Sequence, residues 1–537
     1  MTVIFTSLDF FVLIVFILVV FALGFYYPRH NVETYASYFL GGKGFGWFAV
    51  GLSVFATNIS SEHFVGLAGA ASVRGLAVAQ FELIAVFILL LFLGWILAPL
   101  FYRSGAVTVP EFIGLRFDKK IRQFIGGLSI VIYIFTKILV SLFAAGLLFS
   151  KIFGVDIYAS SIIIVLITGM YCVLGGSLAV MRTQVFQAIV LIAGATALTL
   201  FGLHAVGGYN VLAHKLPSDF FVMFKSAKDA DYPWTGIIFG APIIAFWYWC
   251  TDQYIVQRLQ CAKSERDAQK GSFFAALLKI LPLFIIVFPG LIAAALYPEC
   301  GDDSAYAVLI TGNVLPMGIK GLVVAGFLAA IMSSLAAAFN STAILFTNDF
   351  YKVHAPQATE SKLILVGRLA TISVVMAAVI IVPFVSLISS HVYLFLQSIQ
   401  SFFAPPITAV FIFMLFSKTI TSKTALWTLV TGEIIGAGRI ALESIRNIGI
   451  PLHPVLLQIM RINFLYFSIF LFVLCVCMIL FLNYFQKSTV EHPKIVYAFN
   501  NSSSLITELK ESIYLKTNIL YSAAIAIIII GIWIIWR

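Results

Sequence analysis

Apolar residues run along this chain in blocks of about 20, the length a helix needs to cross the hydrocarbon of a bilayer. Fourteen such blocks can be read, from 9–27 through to 514–536. They are continuously apolar and lack the period of two that a barrel strand would show, so the pattern predicts an all-α integral membrane protein. The longest polar stretches, 207–234 and 485–513, are too short for a soluble domain of useful size. Whatever the chain does, its membrane helices are expected to do it.

Two blocks break the pattern. The one at 45–69 carries Ala56-Thr-Asn-Ile-Ser-Ser-Glu-His63 at its centre, where the carboxylate alone costs roughly 2.5 to 3.5 kcal/mol on insertion scales. The one at 235–258 carries Trp247-Tyr-Trp-Cys-Thr-Asp-Gln253. Interrupted spans in corresponding positions of two halves mark a transporter's binding site, because unwinding frees carbonyls and helix ends for ligands. These two lie five blocks apart, which fits a five-plus-five inverted repeat. The division that follows is a first helix and inner loop at 1–44, a ten-helix core at 45–417, and three accessory helices at 418–537 with a loop near 485–513.

Composition sharpens the class. The chain is 61% hydrophobic and 10% charged, with 51 phenylalanines, more than soluble cores of this length can hide. The net charge of +10 falls mainly on loops that face inward if both termini lie outside, Arg103, Arg116, Lys119, Lys120 and Arg122 foremost. The loop at 298–304 carries Glu299, Asp302 and Asp303 and no base. No basic face suggests nucleic acid, and the six cysteines are scattered singly. The first block lacks a basic leader and a cleavage site, so it reads as a retained span. There is no phosphate-binding loop and no nucleophile, base and acid at a recognisable spacing, so an ion gradient is the expected energy source and an enzyme is not expected.

Candidate chemistry forms two constellations. Ala330, Ser333 and Ser334 share one helical face and offer a carbonyl and two hydroxyls; with the carbonyls of Ala56 and Ile59 they could make five oxygens for sodium, although intramembrane serines commonly just back-bond or pack helices. Asn58, Ser61, His63, Glu82, Lys279 and Gln400 are polar groups that a shared cavity would justify, donors and acceptors for a polyhydroxylated ligand, with Tyr248 and Trp249 as aromatic faces for a sugar ring. Glu82 and Lys279 could instead simply pair with each other.

At this point the chain resembles the solute:sodium symporter family, in its sodium/glucose cotransporter branch, over about residues 8–485. The likeness is carried by Tyr38-Phe-Leu-Gly-Gly-Lys, Asn58-Ile-Ser-Ser-Glu-His, Val109-Pro-Glu-Phe, Trp247-Tyr-Trp-Cys-Thr-Asp-Gln-Tyr-Ile-Val-Gln-Arg, Ala275-Ala-Leu-Leu-Lys, Phe339-Asn-Ser-Thr-Ala, and Ser398-Ile-Gln-Ser with Ala404-Pro-Pro. It implies about fourteen helices around a LeuT-type inverted-repeat core with alternating access. It also implies sugar contacts at Asn58, His63, Glu82, Tyr248, Trp249, Lys279 and Gln400, and sodium ligands at Ala56, Ile59, Ala330, Ser333 and Ser334. Tyr248 becomes the inner gate, with Leu67, Phe81 and Leu396 as the outer plug.

Three departures from the family pattern qualify this. Thr183-Gln184 stands where a Thr-Asp pair is usual, and Ala336 and Ala337 stand where members that use two sodium ions carry hydroxyls, so one sodium per substrate is expected. Ala85 and Ala245 replace polar side chains seen in some galactose carriers. The implied activity is sodium-coupled import of a hexose, with myo-inositol or another polyol as the alternative and a sugar-gated sensor or ion pathway as the rival of another class. Sodium, a polyhydroxylated solute and lipid are the expected partners, with no organic cofactor and no obligate protein partner. Compact loops suggest a bacterial inner membrane.

Overall fold

The computed structural model describes residues 5–26, 32, 34–300, 302–383, 392–417, 419–447, 453–485 and 515–537; most of the loop expected near 485–513 lies outside them. Among the described residues twelve helical runs are long and apolar enough to cross a membrane. Two of them contain more than one of the blocks read from the sequence. The run Ile157–Val206 would be about 75 Å long if straight, more than twice the hydrocarbon thickness. It is divided at Gly176, whose φ of 51° no helix allows and where a Cβ would fall 2.3 Å from the Tyr38 carbonyl. Gly75 divides His63–Ser104 in the same way, at φ 69° and 2.2 Å from the Phe220 carbonyl.

The helices that matter below are α1 (Ser7–Phe21), α2 (Trp47–Asn58), α3 (Ala68–Arg74), α4 (Gln80–Ile88), α5 (Lys119–Ile132), α6 (Ile157–Val206), α7 (Ala241–Phe246), α8 (Gln253–Gln260), α9 (Glu265–Leu278), α10 (Ile319–Leu345), α11 (Val392–Phe416), α12 (Ser422–Asn447) and α13 (Phe464–Phe485). Helix α10 packs along α6, and α9 against α2. Burial ranks them: 89% of the apolar window in Ile319–His354 is enclosed by protein, against 39%, 33% and 22% for the last three runs. The runs holding α10 and α9, at 89% and 83%, are the most enclosed, and the C-terminal helices lie at the edge.

Both interruptions read from the sequence are real breaks. After α2, Ile59 leaves the helical region at φ −76° and ψ 108°, and a helical path resumes through His63–Leu67 into α3. After α7 and the wide turn Trp247–Thr251, Asp252 is extended at φ −85° and ψ 118°, and its side chain accepts from the Tyr254 N–H to cap α8. Unwound backbone at this depth persists only where protein surrounds it, and Ala56 to Ser61 are all buried.

One buried group at the edge is unsupported. Glu433 on α12 lies 8% exposed with neither carboxylate oxygen hydrogen-bonded, next to Gly432, which packs on Pro406 of α11 and Cys475 of α13. An orphaned buried polar group costs about 1 to 3 kcal/mol, and apolar replacements of similar volume are often stabilising. Glu433→Leu is expected to raise the thermal unfolding midpoint in detergent by a few degrees; a lower midpoint would mean that the carboxylate serves a packing partner.

Candidate functional site

The first break brings two helices to one point. The Ser333 hydroxyl of α10 donates to the Ala56 carbonyl at 2.7 Å and lies 3.0 Å from the Ala330 carbonyl, while the Ser334 hydroxyl lies 3.3 Å from the Thr57 carbonyl and 3.4 Å from that of Ile59. All five residues expected to hold sodium thus meet in one buried cluster of neutral oxygens. Oxygen-only sets suit hard cations. Thr57 joins the cluster without having been foreseen, but its carbonyl is already held by the Tyr254 hydroxyl at 2.8 Å.

One turn away, the seven residues expected to bind substrate line a single cavity. Lys279 ends α9, where an ammonium also meets the helix's negative end. Its Nζ lies 2.5 Å from both Asn58 Oδ1 and Glu82 Oε2, so the pairing left open by the sequence does form, inside the cavity wall. Asn58 Nδ2 donates to the Tyr248 hydroxyl at 3.1 Å, and Lys279 stands 5.3 Å from the centre of the Trp249 ring, a cation–π distance. His63 Nδ1 accepts from the Ser60 N–H at 3.3 Å, and its Nε2 faces Glu82 Oε1 at 3.7 Å. Gln400 comes from α11.

Three lining residues with polar side chains were not foreseen as contacts: Glu62, Tyr393 and Gln397. Gln397 and Tyr393 precede Gln400 by one and two helical turns, so the face that carries Gln400 already implied them. Gln397 donates to the Tyr393 hydroxyl at 3.0 Å, which in turn reaches Glu82 Oε1 at 3.5 Å.

Of the four residues expected to close the site, three line the cavity. Phe81, Leu396 and Tyr248 line the cavity, whereas Leu67 is buried elsewhere. Tyr393, 6.0 Å from Phe81 ring to ring, also lines a second cavity bounded by Arg74, Arg439 and Phe464. Tyr393 is the residue that the linings of the two cavities share. Beyond it, Arg74 at the end of α3 pairs with Asp229 and Asp231 at 2.9 Å each. Burial works against the Asp229 charge, but the amides of Tyr232 and Asp231 and the Arg74 guanidinium outweigh it and hold that carboxyl below its usual range. On the opposite side Tyr248 rests on Lys137, whose Nζ is 3.9 Å from the ring centre, and Asp252 accepts from the Tyr133 hydroxyl.

A model of the sodium:solute symporter family matches residues 38–432. Sodium/glucose cotransporter 1 of Ovis aries is 34% identical over 541 residues, covering 92% of this chain and 81% of its own length. The chain belongs to the sodium:solute symporter family. Sodium/glucose cotransporter 2 of Rattus norvegicus is 36% identical, covering 83% of this chain and 73% of its own. Among solved structures, a Na+-coupled sialic acid symporter in a substrate-bound outward-open state superposes with a TM-score of 0.73 at 20% identity, over 89% of this chain and 98% of that one. A nucleobase-cation-symport-1 family transporter in a closed conformation gives 0.52 at 15% identity, over 83% and 92%. These likenesses establish the LeuT-type fold.

The symporter fills the position of its family departure with an amide. Gln184 Oε1 accepts from the Ser53 hydroxyl at 2.5 Å, and its Nε2 donates to Thr57 Oγ1 at 2.9 Å and to the Ser333 carbonyl at 3.0 Å. The carbonyl partner fixes the orientation of the amide, because only an N–H can serve it. Ala336 and Ala337 are buried nearby on α10 and present no hydroxyl.

Proposed function

We propose that the symporter imports a neutral hexose together with one sodium ion by alternating access. Sodium binds between Ala56, Ile59, Ala330, Ser333 and Ser334, and the sugar binds among Asn58, His63, Glu82, Tyr248, Trp249, Lys279 and Gln400. The observation that carries this reading is convergence: both sets meet at the one break between α2 and α3, with Ala56 and Ile59 facing one ligand and Asn58 and His63 the other. Relatives named sodium/glucose cotransporters, at 34–36% identity, support the choice of substrate class. A serine hydroxyl can turn its hydrogen away and offer a lone pair to an ion, so the cluster needs little rearrangement.

Gln184 supports a single sodium, since its N–H groups already occupy the acceptors Thr57 Oγ1 and Ser333 O that a second cation would want. Ala85 and Ala245 line the cavity without polar groups, which keeps myo-inositol in play. Residues 45–417 act as the transport core and 418–537 as accessory helices, in an inner membrane with both termini outside.

The test is uptake into proteoliposomes under an imposed sodium gradient, with labelled hexoses, myo-inositol and proline. Accumulation of a hexose with one sodium per sugar by flux counting is expected. Accumulation of proline alone would overturn the sugar reading, and a ratio of two would overturn the single ion.

A further inference from the structure

We infer that Glu62 is a further substrate-contacting residue, whose carboxylate accepts the hydrogen of one hydroxyl of the bound hexose. The inference rests on the hexose reading above. Glu62 begins the second half of the broken helix, lines the polar cavity, and keeps a side chain that is only 9% exposed. No described residue donates a hydrogen bond to either carboxylate oxygen.

The neighbours that could serve it are committed elsewhere. His63 Nδ1 is 3.8 Å from Glu62 Oε1, beyond hydrogen-bond range, and it accepts from the Ser60 N–H, so its lone pair and not a hydrogen is engaged there. The imidazole hydrogen then sits on Nε2, which faces Glu82. Lys279 is shared by Asn58 and Glu82, and the Tyr393 hydroxyl reaches Glu82. Lys137 lies across the Tyr248 ring and its Nζ has no hydrogen-bond partner among the described residues, so it offsets negative charge without occupying the acceptor.

Among the described residues, the Glu62 carboxylate, the Gln400 amide, the Trp249 indole N–H and the His63 Nε2–H, 3.7 Å from Glu82, line the cavity without a protein hydrogen bond. All but Glu62 already belong to the expected substrate set. A carboxylate withdrawn from water is costly unless a donor replaces the water, and a sugar hydroxyl is the donor that the cargo brings. A hydrogen bond to a charged group contributes enough to change affinity by about 10- to 100-fold.

The experiment measures half-saturating concentrations for the parent hexose and its monodeoxy analogues in wild type, Glu62→Ala and the near-isosteric Glu62→Gln, each normalised to folded protein. In wild type, one deoxy analogue is expected to bind about 10- to 100-fold more weakly than the parent. Glu62→Ala should weaken the parent by a similar factor while leaving that same analogue nearly unchanged, and Glu62→Gln should weaken the parent less. A uniform loss across all analogues would mean that Glu62 only shapes the site, and an unaffected parent would mean no contact; either overturns the inference. If wild type accumulates no hexose at all, the hexose reading fails and this inference falls with it. If wild type accumulates hexose but Glu62→Ala shows no selectivity, only the inference falls.

Discussion

Lys279→Ala is expected to raise the hexose concentration for half-maximal uptake by about 100-fold or more, with the protein still present in the membrane. The magnitude follows from what the ammonium holds. It contacts Asn58 Oδ1 and Glu82 Oε2 at 2.5 Å each, and Asn58 in turn donates to the Tyr248 hydroxyl. Removing it strands a carboxylate that is 3% exposed, leaving only the distant Tyr393 hydroxyl and His63 to face it. Breaking one partner out of a buried ion pair costs about 3 to 5 kcal/mol, so expression and thermal stability are measured alongside uptake to separate lost binding from lost fold. Unchanged uptake would remove Lys279 from the sugar site.

Ser334→Ala is expected to raise the half-activating sodium concentration by about 10-fold, the scale of one lost interaction with a charged ligand. At saturating sodium the sugar affinity should return to its wild-type value. The cost to the fold is small, because the contacts of Ser334 with the Thr57 and Ile59 carbonyls are long, at 3.3 and 3.4 Å. The concentration dependence of sodium-activated uptake reads this out. A wild-type sodium curve for Ser334→Ala would place the ion elsewhere.

The architecture was legible because lipid imposes strict terms. Apolar blocks of span length, and a carboxylate and imidazole in the middle of one of them, are hard to explain except by helices around a polar site. The breaks at Ile59 and Asp252 fell where the polar runs lay. Twelve runs stand against fourteen blocks because two runs, His63–Ser104 and Ile157–Val206, each join blocks that the sequence separates, with Gly75 and Gly176 at the joins.

Within the site, residue type pointed to the strongly polar groups, and spacing alone could not show that they converge. Gln397 and Tyr393 were missed although they share the face of Gln400, because a tyrosine and a glutamine near a membrane surface read as ordinary interfacial residues. Tyr393 lines both cavities and Leu67 lines neither, a difference that hydrophobic size alone does not show. Glu62 was visible as a charge and not as a contact, since its freedom emerges only when the hydrogen bonds of its neighbours have been assigned.

The central claim is that one short unwound segment serves both ligands. The carbonyls of Ala56 and Ile59 sit on either side of Asn58, so on the proposed assignment an ion that fixes this backbone would also fix the amide offered to the sugar. Coupling then needs only that sodium favour the backbone arrangement in which Asn58 and His63 face the cavity, and the effect must be reciprocal.

Equilibrium titration of purified symporter tests this most directly, with hexose added in sodium and in choline chloride of equal ionic strength, and sodium added with and without hexose. The account predicts that sodium tightens hexose binding by about 10-fold or more and that hexose tightens sodium binding by the same factor. Hexose binding of equal strength in sodium and in choline would contradict it.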